Sequence, residues 1–318
     1  MKITMKWVAP FAAALLLTAC STNEKIASQP KDEANQEQQG SNTNEPYKVV
    51  DDRGVEVTFD TVPNTIVSLQ PSNTEILFEL GVGDKIVGAT DFDTYPEAAQ
   101  NIERVSTSTA INAERILELN PDVVVAYTVG DEAQISQLED VGLKVFVIKS
   151  AANFDDVYSD IIQLSEVMGV EPTGEKIVKD IQAQIKEVQD KTAKLETKKK
   201  VFYEISPSPD IWTTGSETFQ QEIMDAAGID NVFADQKSWI SVTEEDVIIR
   251  NPEVIVTTNN YIDDPTGEIM SRAGWDKISA LTNKQVFLVN GDIMSRPAPR
   301  IGQAVQIMAE TVYPELFK

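Results

Sequence analysis

The sequence contains no histidine and a single cysteine, Cys20, in 318 residues. Without histidine the chain cannot build a histidine zinc site, a histidine general base, a Ser-His or Cys-His dyad, or a histidine ligand for haem. One cysteine permits neither an intrachain disulfide nor a cysteine metal cluster. These absences exclude many classes of enzyme and metalloprotein.

Positive charge is also scarce. The chain has 27 Lys and Arg against 51 Asp and Glu, a net charge of −24, which argues against nucleic acid as a partner. It has no dinucleotide-binding glycine fingerprint after a strand, no phosphate-binding P-loop and no G-x-S-x-G nucleophile elbow. A membrane-anchored α/β enzyme that works with paired carboxylates stays open, because acidic residues are abundant, although no spacing singles out a pair.

No apolar run reaches the length of about 20 residues that a membrane-spanning helix needs. The N-terminal run, Trp7 to Leu17, has 11 residues, follows Lys2 and Lys6, and is followed by Thr18-Ala19-Cys20. This pattern is typical of a lipoprotein signal peptide. We therefore expect residues 1–19 to be removed and Cys20 to carry acyl chains such as palmitate, anchoring the protein on the outer face of the cell membrane. The alternative is a plain secretory signal with an incidental cysteine.

Residues 20–46 are polar and predict a disordered tether. A β-hairpin is predicted around Asp52-Arg53-Gly54, and short β runs then alternate with helical patterns, which is typical of parallel sheets covered by helices on both faces. The longest helical pattern lies within residues 173–197. The sequence thus predicts two Rossmann-like α/β lobes, 47–172 and 198–318, joined by a single long helix.

The two predicted lobes share sequence patterns. The segment from Glu114 to Val125 matches the segment from Glu245 to Val256, and in each a glutamate lies six residues before an Asn-Pro pair that ends a helix. The segment from Glu75 to Gly81 likewise matches the segment from Glu222 to Gly228. Two matches in the same order favour an internal duplication.

Ligands of open α/β sheets bind beyond the carboxyl ends of the strands. A proline and several aromatic and polar residues follow or end predicted strands: Pro71, Phe92, Tyr127, Trp212, Tyr261, Asp292 and Arg296. Trp239 lies just before the predicted helix that contains Glu245. Such a rim suits a large, flat, partly apolar ligand held between the lobes.

Several of these segments resemble a known family. The stretch from Ser68 to Gly81, SLQPSNTEILFELG, is similar to the first strand and helix of the substrate-binding proteins of cobalamin and iron-siderophore ABC importers. The resemblance continues in Asp93–Pro96, Val105–Thr107, Asn112–Ile116, Asn120–Asp122, Trp212–Gly215 and Arg296–Ile301. It extends from about Tyr47 to the C-terminus.

The family resemblance implies the helical-backbone class of periplasmic-binding-protein fold, in which one rigid helix joins the lobes and permits little hinge motion. The ligand contacts of the cobalamin-binding members fall on Pro71, Phe92, Tyr127, Trp212, Trp239, Asp292 and Arg296. The resemblance further implies that Glu114 and Glu245, one on each lobe, dock to arginines of a dimeric permease.

The function implied is that of a monomeric, lipid-anchored binding protein rather than an enzyme. It would capture cobalamin or a related corrinoid outside the cell for a permease dimer and its ATPase, and would hold no resident cofactor or metal. Two departures, Ser108 and Ile293 where the family has large aromatics, keep a ferric siderophore as the alternative ligand. Haem, ligated by Tyr127 or Tyr261, is a further alternative. Bare zinc or manganese is excluded because the related sites are rich in histidine.

Overall fold

A hairpin and a five-stranded sheet make up the N-terminal lobe of the computed structural model, which describes residues 45–107, 110–128 and 132–318. The predicted signal peptide, the lipidation site at Cys20, nearly all of the predicted tether and the departure at Ser108 lie outside these residues. In the described part, no helix has both the length and the apolar character required to cross a membrane.

The elements of the N-terminal lobe alternate between strand and helix as predicted. They are β1 (Tyr47–Val50), β2 (Glu56–Phe59), β3 (Ile66–Ser68), α1 (Pro71–Glu79), β4 (Ile86–Thr90), β5 (Glu103–Ser106), α2 (Ala113–Leu119), β6 (Val123–Thr128), α3 (Glu132–Asp140), β7 (Val145–Lys149) and α4 (Phe154–Val167). Strands β1 and β2 form the predicted antiparallel hairpin. The sheet has the order β5-β4-β3-β6-β7, and every pair in it is parallel.

A single helix, α5 (Glu171–Thr192), connects the lobes. Its 22 residues span about 33 Å, and Ile177, Ile181, Ile185 and Val188 form its buried face. The helix begins before the predicted residue 173 because Pro172 lies in its first turn, where the N–H that proline lacks has no partner within the helix. It ends before the predicted residue 197 because the chain turns at Ala193, with the Leu195 N–H donating to the Thr192 carbonyl.

The C-terminal lobe contains a six-stranded sheet. Its elements are β8 (Lys200–Ser206), β9 (Trp212–Thr214), α6 (Phe219–Ala226), β10 (Asp230–Asn231), β11 (Trp239–Ser241), α7 (Glu244–Arg250), β12 (Val254–Thr257), α8 (Pro265–Met270), α9 (Ser279–Thr282), β13 (Val286–Leu288), α10 (Gly291–Ser295) and α11 (Ile301–Val312).

The C-terminal sheet departs from the predicted parallel arrangement. The pairs β10–β8, β8–β12 and β12–β13 are parallel, but β9 runs antiparallel to both β8 and β11. The connection from Ser206 to Trp212 is too short for a crossover, so β9 must return as a hairpin. Trp212, predicted to lie in a loop, is therefore the first residue of a strand.

The predicted duplication is visible in the backbone. Helices α2 and α7 each end at an asparagine, Asn120 and Asn251, in the left-handed conformation with φ of 47°. Each asparagine precedes a proline, and each proline precedes a buried central strand, β6 or β12. The same helix–turn–strand unit is thus built once in each lobe.

Among the described residues, three hydrophobic clusters form the core. One covers the outer face of the N-terminal sheet, with Val67 and Val124, and a second covers the outer face of the C-terminal sheet, with Phe202 and Trp275. The largest cluster is continuous from one lobe to the other and includes the buried face of α5.

Candidate functional site

Three of the predicted ligand contacts line one pocket in the N-terminal lobe. Pro71 at the start of α1, Phe92 after β4 and Tyr127 near the end of β6 meet at the carboxyl edge of the sheet, around a cavity of about 170 Å³. Phe92 is 51% exposed. The other described residues of the wall are Leu69, Gln70, Thr90, Ser106, Thr107, Ala110, Ile111 and Gln134. No described residue in this wall carries a formal charge.

Two predicted contacts form an exposed tryptophan face on the C-terminal lobe. Trp212 pairs with Ser241 and Trp239 pairs with Thr214 in the β9–β11 ladder, so both indoles project from the same face of the sheet as diagonal neighbours. They are 43% and 47% exposed. The indole N–H of Trp239 donates to the side-chain oxygen of Gln220 in α6 at 3.0 Å, which orients the ring. The two indole rings thus present a large apolar surface beside the carboxyl end of β8.

The last two predicted contacts, Asp292 and Arg296, belong to an ion network between the lobes. The Arg296 guanidinium donates to the Phe92 carbonyl oxygen at 3.0 Å, to the Thr94 hydroxyl at 2.9 Å and to Asp292 at 3.1 Å. The Thr94 hydroxyl donates in turn to Asp292 at 3.1 Å. Arg296 therefore reaches the backbone of the aromatic residue that lines the N-terminal pocket.

Two residues of the network, Glu75 and Arg300, were missed by the sequence analysis as site residues. The Glu75 carboxylate in α1 is almost fully buried and accepts from Arg296 at 3.1 Å and from Arg300 at 2.7 and 2.6 Å. Arg300 also stacks on the ring of Tyr95, 3.9 Å from its centroid. The available signals were the repeat that contains Glu75 and the Arg296–Ile301 segment, but neither indicates a contact between lobes.

The ion network is close to neutral as a whole. Two guanidinium groups, from Arg296 and Arg300, face two carboxylates, from Glu75 and Asp292. Charge-assisted hydrogen bonds of this kind fix the geometry of planar groups. The network orients the backbone at Phe92 without adding a net positive charge beside the N-terminal pocket.

A buried ion pair supports the floor of the C-terminal lobe. Glu204 near the end of β8 pairs with Arg272, and Asn259 after β12 donates to Glu204 at 3.1 Å. Burial raises the pKa of Glu204, and hydrogen bonds from Arg272 oppose that shift. The hydrogen bond from Asn259 links the carboxyl ends of the adjacent strands β8 and β12. Tyr261, which follows in the same loop, is 70% exposed and does not line the N-terminal pocket.

The two glutamates predicted to dock a permease occupy equivalent positions. Glu114 and Glu245 are exposed in the first turns of α2 and α7, whose N-caps are Asn112 and Thr243. Neighbouring acids at the second position have local partners: Glu244 accepts from Ser208, and Asp246 completes a capping box with Thr243. Glu245 is thus distinguished from the acids beside it.

The described residues contain no cluster of three or more Cys, Asp or Glu side chains arranged to hold a metal ion. Tyr127 is half-buried in the N-terminal pocket and presents a phenol there. The chemistry that the site offers is therefore apolar and aromatic contact, together with hydroxyl, amide and carbonyl groups.

Comparison with known proteins identifies similar binding proteins both by family model and by sequence identity. A family model described as "Periplasmic binding protein" matches residues 66–292. An uncharacterized ABC transporter substrate-binding lipoprotein of Bacillus subtilis is 35% identical over 317 residues, which cover 98% of each chain.

Two further similarities concern proteins with a stated ligand. A vitamin B12-binding protein of Vibrio parahaemolyticus is 31% identical over 245 residues, covering 76% of this chain and 86% of that protein. A solved structure of a possible iron-binding, periplasmic solute-binding protein from Staphylococcus epidermidis is similar with a TM-score of 0.72 at 31% identity, covering 80% of this chain and 100% of that chain.

Proposed function

Because this chain belongs to the periplasmic binding protein family, we propose that its interlobe cleft captures cobalamin or a related corrinoid outside the cell. The chain is a substrate-binding protein of an ABC transporter, and the proteins it resembles are substrate-binding proteins rather than enzymes. The similarity to vitamin B12-binding proteins supports a corrinoid. The similarity to a possible iron-binding protein supports the alternative, a ferric siderophore.

The charge balance around the N-terminal pocket favours a corrinoid over the anionic chelates among these ligands. The described wall of the N-terminal pocket has no charged side chain, and the two arginines nearby are matched by Glu75 and Asp292. A ferric catecholate or a haem with its propionates is anionic and would meet a protein of net charge −24 and a pocket wall whose described residues include no cation. A corrinoid of zero or positive net charge meets no such repulsion. Its flat ring and amide side chains suit the tryptophan face and the hydroxyl and amide groups of the pocket.

Delivery is the second half of the proposed function. A lipid on Cys20 would hold the protein at the outer face of the membrane. The Bacillus subtilis relative is itself named a lipoprotein, which supports this proposal. Glu114 and Glu245 would then present one carboxylate from each lobe to the permease dimer, whose ATPase drives import. Two equivalent acids suit a partner with a two-fold axis.

Equilibration with candidate ligands tests the proposal. The purified chain is mixed with cyanocobalamin, a ferric tris-catecholate, a ferric hydroxamate or haem, then desalted, and the retained ligand is measured by absorbance. We expect stoichiometric retention of cyanocobalamin, retained more weakly by Phe92→Ala. The control Ile249→Ala alters an exposed side chain beside Lys200, at the amino end of β8 and far from the carboxyl edges.

Each ligand gives a distinct outcome. Retention of the ferric hydroxamate alone, or of the catecholate, would replace the corrinoid with an iron chelate. Retention of haem with a tyrosinate charge-transfer band that is lost in Tyr127→Phe would support haem instead. Conversion of any of these compounds on incubation would revive the enzyme alternative.

A further inference from the structure

The duplicated glutamates Glu75 and Glu222 make equivalent contacts across the two lobes. Each lies in the first helix of its lobe, α1 or α6, and the sequence repeat aligns them. Each reaches the start of the last long helix of the other lobe, α11 or α4. Both of these helices pack against α5. The contacts are therefore related by the same duplication that relates the lobes.

The first contact joins α1 of the N-terminal lobe to the start of α11. Arg300 is the N-cap residue of α11, and its guanidinium donates two hydrogen bonds to the buried Glu75 carboxylate while Arg296 donates a third. The Tyr95 ring from the N-terminal lobe covers Arg300. Three charge-assisted hydrogen bonds in a largely buried place make this a strong joint.

The second contact joins α6 of the C-terminal lobe to the start of α4. Phe154 is the first residue of α4, and its backbone N–H donates to the Glu222 carboxylate at 2.6 Å. The first N–H groups of a helix have no partner within the helix, so a carboxylate there satisfies a donor and complements the helix dipole. The Phe154 ring packs edge-on against Phe219, one turn before Glu222, with centroids 6.0 Å apart.

We propose that Glu75 and Glu222 are positioning residues that form a pair of cross-lobe braces and set the angle between the lobes. The angle determines how far the N-terminal pocket lies from the tryptophan face, and thus whether one ligand can touch both. The Glu75 brace binds two guanidinium groups and the Glu222 brace binds a single N–H. When the angle between the lobes changes, the stronger Glu75 contact therefore stays closed as the pivot and the weaker Glu222 contact breaks.

The position of α5 explains why braces are needed in addition to the connecting helix. Helix α5 packs against both α4 and α11 and so joins the two lobes along one side. A joint along one side, even with the apolar core that both lobes share, opposes rotation about that line least. Contacts from α1 to α11 and from α6 to α4 restrict that rotation, because each crosses from one lobe to the other.

The lobe angle is measured directly by spin labels at two introduced cysteines. In the Cys20→Ser chain, which has no other thiol, Asp140→Cys in the N-terminal lobe and Lys277→Cys in the C-terminal lobe provide exposed labelling sites. We expect Glu222→Ala to broaden the distance distribution of the ligand-free chain. Glu222→Gln should keep the parent distribution, because its amide oxygen can still accept from the Phe154 N–H. Glu310→Ala, an exposed glutamate of α11, is the matched control.

The affinity measurement rests on the proposed function and the distance measurement does not. If Glu222→Ala leaves about a tenth of the molecules at the binding angle, the apparent Kd for cyanocobalamin should rise about tenfold, and Glu222→Gln should restore it. Failure of the parent to bind cyanocobalamin would overturn the corrinoid proposal and leave the distance test intact. A Glu222→Ala chain that is folded by circular dichroism and keeps the parent distance distribution would overturn the braces.

Discussion

Arg296 of the C-terminal lobe donates to the backbone carbonyl of Phe92 in the N-terminal lobe at 3.0 Å. An arginine of one lobe thus positions the backbone of an aromatic residue that lines the pocket of the other lobe. We expect Arg296→Ala to lower the free energy of unfolding by about 1–3 kcal/mol, because it removes the hydrogen bonds that the guanidinium donates to the Phe92 carbonyl, the Thr94 hydroxyl and the buried Glu75 carboxylate. Denaturant titration measures the change.

The matched control for Arg296 is Lys237→Ala. Lys237 is an exposed cation of the same lobe that pairs with exposed Glu217, and its loss should change stability by no more than about 0.5 kcal/mol. Equal denaturation midpoints for Arg296→Ala and the parent would contradict the role given to the network.

The tryptophan face should contribute directly to ligand affinity. Replacing Trp212 by alanine removes stacking area, and we expect a loss of about 1–3 kcal/mol in binding free energy by calorimetry. Binding of a coloured corrinoid should also quench tryptophan fluorescence, less so in the variant. An unchanged affinity would mean that Trp212 lies outside the ligand contact.

Docking to the permease should be separable from ligand binding. The double variant Glu114→Ala and Glu245→Ala should keep its ligand affinity in solution, since both side chains are exposed outside the pocket and the tryptophan face. Uptake by cells and stimulation of the transporter ATPase should both fall. Glu244→Ala, which removes an acid held locally by Ser208, serves as the control and should transport normally. Normal uptake by the double variant would leave only helix-end stabilisation for the two glutamates.

The anchor is tested at Cys20. The Cys20→Ser chain has no acceptor for the lipid, so we expect it in the culture medium or a soluble extracytoplasmic fraction with unchanged ligand affinity. Fractionation and immunoblotting give the distribution. Retention of the serine variant in the membrane fraction would indicate a different mode of attachment.

Stability should depend on pH through Asp160, a buried residue of α4. Burial, with smaller contributions from Asp52 and Asp156, raises the pKa of Asp160 to about 8. Between about pH 4 and this value the folded chain keeps a proton that the unfolded chain releases, so the free energy of unfolding decreases as pH rises.

Replacing Asp160 by asparagine should remove this decrease. The variant should gain stability relative to the parent as pH rises from 4, with the largest gain above pH 8. Ser159 lines the same small cavity as Asp160. The control Ser159→Ala removes no titrating group, so its free energy of unfolding should vary with pH as in the parent. Parallel stability curves for Asp160→Asn and the parent would contradict the raised pKa.

The sequence predicted the elements of the fold well where chemistry is local. Asn-Pro pairs mark the ends of α2 and α7 because asparagine tolerates the left-handed conformation and proline cannot extend a helix. The antiparallel β9 was not predicted, because its three residues carry no alternation that distinguishes strand from loop. The start of α5 was misplaced because proline both ends helices and opens them.

The candidate site was predicted only in part. Strand ends could be located, and the structure brings Pro71, Phe92 and Tyr127 together in one pocket. The partners of Glu75 could not be predicted, because Arg296 and Arg300 are more than 200 residues away along the chain and meet it only after both lobes have packed on α5. Sequence repetition indicated that Glu75 and Glu222 are equivalent without indicating what either touches.

The continuous central core has a consequence for how the protein folds. Because the inner faces of both sheets share one apolar cluster with α5, neither lobe closes a complete core from its own residues. Cutting the chain into two halves would expose Ile181 and Ile185 together with the side chains that cover them. We therefore expect the duplicated lobes to unfold together in one cooperative transition, which calorimetry would measure.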